Sequence, residues 1–232
     1  EIGVRLVGSE MCIRDRNGMD GEDWEKLWRE VKAAQHQKGY QQAYRSMEAA
    51  AKDTEGEMLF YRSKVCEGVF HRISSGATRD GLEVFGKMEK GYLLSVDSNW
   101  DMYGEGYLSG HYFSEEALRK QLEKAYPGLV FTEESPEKQI NMYKRDKVGH
   151  ILSLTVGNET ISGEEFRKLL ELPSSNFTMQ AADGKIRFLC KGQGHGLGLS
   201  QYGGNVLAKE GKSYREILRY YFPECEVKKE DS

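Results

Sequence analysis

Gly192-Gln-Gly-His-Gly-Leu-Gly-Leu-Ser-Gln-Tyr-Gly-Gly204 puts six glycines into thirteen residues. Glycine loses more conformational freedom on folding than any other residue, so such a run makes sense where backbone must turn sharply or approach a ligand closely. Among the glycines stand His195, Ser200, Gln201 and Tyr202. These side chains can donate and accept hydrogen bonds or stack on a sugar ring. A phosphate loop is a poorer fit: the Lys-Ser/Thr ending of a P-loop is missing, and no βαβ unit with a downstream acid surrounds the segment. A tight turn around a buried, hydrogen-bonded histidine is the plain structural alternative.

On the C-terminal side, Ser200 to Glu210 and Ser213 to Tyr221 read as two helices parted by Gly211, with Pro223 closing the second. On the N-terminal side, Phe177 to Met179 and Lys185 to Cys190 read as strands joined by the turn Ala182-Asp-Gly184. Ser162-Gly-Glu-Glu165 is a capping-box pattern, and Phe166, Leu169 and Leu170 form the apolar stripe of the helix behind it. His150 to Val156 alternates like a strand. Ser114 to Tyr126 predicts a helix, with Ser114 as cap and Glu115 and Glu116 in the first turn, where the dipole favours acids. Thr132 to Lys138 is a polar loop. Tyr92 to Val96 predicts a strand, and Ile73 to Thr78 is small and polar, like a loop.

Met58 to Tyr61 and Val65 to His71 predict a strand pair linked by Arg62-Ser63-Lys64. A helix is expected from about Gln42 to Lys52, with Ala43, Met47 and Ala50 on its inner side, and Glu55-Gly56 stops it. Gly21 to Gln35 predicts another, with Trp24, Leu27, Trp28 and Val31 on one face. Helices and strands mingle without regular βαβ alternation, so the expected fold is α+β, a single mixed domain of helices and short strands, not doubly wound.

The 232 residues are 38% apolar and 30% charged, with a formal net charge of -4. The calculated pI near 5.9 argues against a nucleic-acid partner, which calls for a basic face. No run of about 18 apolar residues would span a membrane, and Glu1 to Val7 lacks the pattern of a signal peptide. The four cysteines, Cys12, Cys66, Cys190 and Cys225, include no CxxC pair, and no H-x-x-x-H pair accompanies them, so no metal or other cofactor is expected. Buried thiols are the plain reading of Cys66, Cys190 and Cys225, and the wide spacing leaves a disulfide open.

Arg5-Leu-Val-Gly-Ser-Glu-Met-Cys-Ile-Arg-Asp-Arg16 has neither a helical nor a strand period and resembles a translated sequencing adapter. Residues 1–16 are therefore expected to be a scar ahead of a native domain at 17–232 that has lost its start. The segment carries Glu1, Glu10 and Asp15 against Arg5, Arg14 and Arg16, so the charge argument survives without it.

Gly192 to Gly203, then Gly-Lys-Ser-Tyr-Arg-Glu-Ile-Leu at 211–218 and Tyr221-Phe222-Pro223, resemble the C-terminal hallmark of the stage II sporulation protein D family. Gln193 stands where the family often has an aromatic residue. The resemblance continues upstream through Ile161 to Leu170 and Leu172-Pro-Ser-Ser-Asn-Phe177, and through Thr54-Glu-Gly-Glu57. Phe70-His71, Ser74-Ser75-Gly76 and Thr78 are similar to the family's His-x-x-Ser-x-Gly-x-Thr loop. In all it covers roughly residues 40 to 227.

The resemblance implies a peptidoglycan-processing protein outside the cytoplasmic membrane, with an anchor expected in the missing N-terminal part. Its enzymes are lytic transglycosylases, which cut the bond between N-acetylmuramic acid and N-acetylglucosamine and leave 1,6-anhydro ends. One Glu serves as general acid and then general base, so no second carboxylate is required. Related members enhance amidases without cleaving glycan, which makes a cell-wall amidase the second expected partner beside the glycan strands. The family's Glu lies in a Glu-Met-Pro motif before an Ala-rich helix. Ser9-Glu10-Met11 lacks both the Pro and the helix, so no catalytic residue is assigned and this chain is expected to be inactive by itself. Glu55, Glu57, Glu67 and Glu83 lie near the His71 loop in sequence, and nothing raises one above the others. By the resemblance His71, Ser74, Ser75, Thr78, His195, Ser200, Gln201 and Tyr202 contact glycan.

Overall fold

The computed structural model describes residues 38–229. The helix expected at Gly21 to Gln35 and the adapter-like stretch 1–16 lie outside the described residues. Six α-helices and eleven strands in several small sheets are found among the described residues. The fold is mixed α+β and not doubly wound. Its contacts group into two compact units, one holding residues up to Phe70 together with those from Gly204 onward, the other running from His71 to Gly203.

The first unit opens with α1 (Lys38–Asp53). Met47, expected on an inner face, is instead 44% exposed. β1 (Glu57–Tyr61) and β2 (Lys64–Val65) follow as a hairpin. Its two turn residues, Arg62 and Ser63, both have positive φ, the backbone that matches the twist of a two-residue hairpin. β11 (Glu226–Lys229) pairs with the other side of β1. α6 (Tyr214–Tyr221) falls within the expected helix and carries a capping box, Ser213 with Glu216. Its Tyr214 hydroxyl donates to Glu57 Oε2 at 2.8 Å, and Arg215 pairs with Glu57 Oε1.

The second unit holds two antiparallel three-stranded sheets. One has the order β4 (Leu108–Phe113), β9 (Lys185–Lys191), β8 (Phe177–Ala182), and the other is β5 (Ile140–Arg145), β6 (Ile151–Val156), β7 (Glu159–Ser162). The Asp183-Gly184 turn between β8 and β9 has positive φ at both residues, as its sequence predicts. α2 (Gly81–Phe85), α3 (Glu115–Ala125) and α4 (Gly163–Leu169) also belong to this unit, and α5 is Gln201–Lys209, within the helix expected from Ser200 to Glu210. Ser114 caps α3, and Ser162 with Glu165 forms the capping box of α4. Leu118 and Leu122 of α3, Phe166 of α4, Ile151 and Leu154 of β6, and Phe177, Ile186 and Phe188 of the other sheet share one buried cluster. Within it the rings of Phe166, Phe177 and Phe188 have centroids 5.4 to 5.8 Å apart.

Two expected strands are not formed as such. Val65 to His71 divides into β2 and β3 (Phe70–His71), with irregular chain between them around Gly68. Tyr92 to Val96 is buried at Tyr92 and Leu93 but irregular. Its carbonyls at Leu93, Leu94 and Val96 accept from Gly81 N, Thr78 Oγ1 and Thr78 N. A side-chain hydroxyl and scattered loop amides thus satisfy what a neighbouring strand would otherwise satisfy.

Phe188 meets both other rings, so its truncation leaves a cavity that two sheets and a helix border. Phe188→Ala should cost about 3–5 kcal/mol of unfolding free energy, read from urea denaturation.

Candidate functional site

The two sequence segments singled out above lie side by side in the second unit. The amides of Arg72 and Ile73 both donate to Gln193 O at 3.1 Å, and Gln193 N returns a bond to Ile73 O at 2.8 Å. Arg79 N donates to Gly196 O at 2.8 Å, and Tyr202 N to Arg72 O at 3.0 Å. β10 (Leu199–Ser200) pairs with β3. Close backbone approach explains the glycines. A Cβ on Gly194, at φ +107, would lie 2.8 Å from the His71 Cβ, and one on Gly196, at φ +76, would lie 3.0 Å from both Arg79 Cδ and His150 Nε2.

Of the eight residues expected to touch glycan, four have no accessible surface: His71, Ser74, Thr78 and Ser200. Their bonds run inward. His71 Nδ1 donates to Leu197 O at 3.0 Å. Ser74 Oγ accepts from Gly76 N at 3.2 Å, Ser200 Oγ accepts from Gly203 N at 3.2 Å, and Thr78 links to Leu94 and Val96. Side chains buried and bonded in this way hold the two loops in shape. Ser75, His195, Gln201 and Tyr202 keep partial exposure. The His195 ring lies 5.9 Å from that of His71, edge to face. His195 Nδ1 accepts the Leu197 amide at 3.1 Å, so the neutral ring carries its hydrogen on Nε2.

Beneath these groups is a polar cluster that the sequence did not announce. Arg79 is 1% exposed. Its Nε bonds Asp146 Oδ2 at 2.5 Å, and one terminal nitrogen reaches both Glu164 Oε1 at 3.0 Å and the His195 carbonyl at 3.1 Å. Arg167 Nε holds the other Glu164 oxygen at 3.0 Å. Ser175 Oγ donates to Glu164 Oε1 at 2.6 Å and faces His150 Nδ1 at 3.0 Å, while His150 Nε2 faces Ser75 Oγ at 3.4 Å. Asp101, fully buried, accepts the Ser74 amide on Oδ2 at 2.7 Å. Burial pushes its carboxyl above the ordinary 3.8, against hydrogen bonds from Ser74, Ser200 and Ser98. Asp101 thus ties the Ser74 loop to the glycine-rich loop. Burial, then the charge of Arg79, holds His150 well below its ordinary 6.5, so at neutral pH it is an uncharged link between two hydroxyls. Among the described residues no three His, Cys, Asp or Glu side chains gather as a metal site.

No family model matches the chain. It is 28% identical over 242 aligned residues to a protein named stage II sporulation protein D from Bacillus amyloliquefaciens, and 26% identical over 234 to the protein of that name from Bacillus subtilis strain 168. Each alignment takes in 99% of this chain. The chain is a homologue of stage II sporulation protein D. It spans 65% and 66% of the length of those two relatives. A protein of Bacillus subtilis strain 168 named amidase enhancer is 42% identical over 50 residues, which is 22% of this chain and 7% of that protein.

Two outcomes are expected of the buried cluster. Arg79→Met leaves Asp146 buried without its cation and should lower stability by about 3–5 kcal/mol, with Asp146→Asn added to it restoring part of the loss. Because His150 resists protonation when folded, its contribution is complete above pH 6.5 and is lost as pH falls below that value. The urea midpoint should therefore drop between pH 7.5 and 5, and His150→Gln should flatten that dependence.

Proposed function

We propose that this protein acts at the cell wall, outside the cytoplasmic membrane, and that the unit from His71 to Gly203 grips glycan strands of peptidoglycan. The carrying observation is the pair of interlocked loops, which leave Ser75, His195, Gln201 and Tyr202 partly exposed above a rigid polar floor. A glycan offers hydroxyls and amides to hydrogen-bond and ring faces to pack against. An imidazole, a carboxamide, a hydroxyl and a tyrosine match that surface without needing a charged ligand. The names of the homologues, sporulation protein D and amidase enhancer, support the cell-wall setting.

The reaction we assign to the protein is lytic transglycosylation. The muramic acid to glucosamine bond breaks as a carboxylic acid protonates the bridging oxygen. The muramic 6-hydroxyl then closes on the anomeric carbon and returns its proton to the same carboxylate. No described carboxylate is assigned that role. Asp101 and Asp146 are sealed from solvent, Glu164 is held by Arg79, Arg167 and Ser175, and Glu57 is engaged by Tyr214 and Arg215. The second reading, a glycan-holding enhancer of a cell-wall amidase, is favoured by the 42% identity to the amidase enhancer.

Co-sedimentation with purified sacculi tests the gripping role. The chain should pellet with the sacculi, and Tyr202→Ala or His195→Ala should weaken binding by about tenfold, as loss of one good polar or stacking contact does. Unchanged binding in both variants would sink the loop assignment. Denuded strands incubated with the full-length protein separate the two readings. Products with 1,6-anhydro ends favour the transglycosylase, and stimulation of an amidase without such products favours the enhancer.

A further inference from the structure

Cys66 and Cys225 lie 159 positions apart in sequence, yet their Sγ atoms stand 3.6 Å from each other. Both belong to the unit assembled from the chain up to Phe70 and the chain from Gly204 onward. The backbone brings them together through the sheet. Cys66 directly follows β2, and its amide donates to Leu59 O at 2.9 Å, on one flank of β1. Cys225 directly precedes β11, which begins at Glu226 opposite Phe60 on the other flank. The Cys225 amide is fixed in turn by Phe222 O at 3.0 Å. Cys190 is a different case. It is buried in the core of the other unit, and burial pushes its thiol up to about 12.

We infer that Cys66 and Cys225 are a disulfide-forming pair that clamps the two ends of the discontinuous unit together under oxidising conditions. At 3.6 Å the sulfurs are in contact but unbonded, and a covalent bond requires an approach to about 2.05 Å. That movement is within reach of side-chain rotation and a small backbone adjustment. The oxidant is an external disulfide, either a small one such as oxidised glutathione or that of a thiol–disulfide oxidoreductase. Cys66, the more accessible thiol, loses its proton and attacks one sulfur of the oxidant, expelling a thiolate. Cys225 loses its proton and attacks the Cys66 sulfur, expelling the second thiolate. Two protons and two electrons leave the protein, and the external disulfide becomes two thiols. Cys225, the second thiol to react, borders a surface cleft of about 340 Å³ with Leu59, Leu218, Arg215 and Arg219.

Such a bond constrains the unfolded chain by closing a very long loop, the case in which a crosslink removes most entropy. The inference concerns a unit that contains none of the proposed glycan contacts, so it stands or falls independently of sugar binding. The experiment equilibrates the whole chain with reduced and oxidised glutathione at several ratios, alkylates remaining thiols, and maps peptides by mass spectrometry. The expected result is a Cys66–Cys225 linked peptide, lighter by two hydrogen atoms than its reduced parts, with Cys190 alkylated only after denaturation. The oxidised protein should melt about 5–10 °C above the reduced one, and this difference should vanish in Cys66→Ser and in Cys225→Ser. Alkylation of both thiols in the folded, oxidised protein would overturn the inference, as would a bond from either residue to Cys12, to Cys190 or to a second molecule.

Discussion

A cation without access to water organises the second unit. Burying a guanidinium is tolerable only when its charge is matched and its hydrogens are taken. Arg79 meets that demand by drawing in Asp146, Glu164 and the carbonyl of His195. Asp146 Oδ1 accepts the amide of His150 at 2.8 Å, so the same carboxylate fixes the chain entering β6. Glu164 lies in the first turn of α4 and passes the constraint to Ser175 and on to His150. The planar fork of arginine suits this work, because it addresses several acceptors in one plane and a lysine would not. A loop carrying six glycines would otherwise sample many shapes; the bond from Arg79 to the His195 carbonyl and the backbone pairing around Gln193 leave it one.

What was readable in the sequence was local. The Asp183-Gly184 hairpin, the Ser162/Glu165 capping box and the Ser114 cap depend on residues within a few positions of each other, and each is present. The glycine-rich segment was legible as a place of sharp turns and close approach to a ligand, and the structure shows its close approach to His71, Arg79 and His150 of the same chain. The edge-to-face meeting of the His71 and His195 rings, 124 residues apart in sequence, shows only in the structure. Asp101, Arg79, Asp146, His150 and Glu164 escaped notice because a charged residue in a mixed-charge chain looks like any solvated one, and their partners lie far along the sequence. Strand β4 was missed for a different reason. Its Leu108 and Tyr112 fall on the exposed side, so the alternation that marks a half-buried strand is inverted. Tyr92 to Val96 errs the other way, apolar and buried without a ladder.

Irregular chain bears much of the second unit's organisation. Thr78 is bonded through both its backbone and its hydroxyl to the Leu94–Val96 stretch, and Gly81 leaves no space for a Cβ against Lys90 O and Leu93. These contacts replace sheet pairing with point-by-point satisfaction of backbone groups. Such satisfaction holds a surface loop rigid without the stiffness of a strand, and a binding face made of loops needs that rigidity to avoid an ordering cost at each encounter.

The partners of Arg79 lie 67, 85 and 116 residues further along the chain. None of these pairings can form until long stretches of backbone have been closed, which places them among the slow, late events of folding. During synthesis the cation emerges well before any of its three acceptors. Asp146 and Glu164 supply the countercharge first, and the His195 carbonyl is the last of the three acceptors along the chain. The glycine-rich loop thus adds the final bond to an ion cluster whose charges are already balanced by residues before it in the chain.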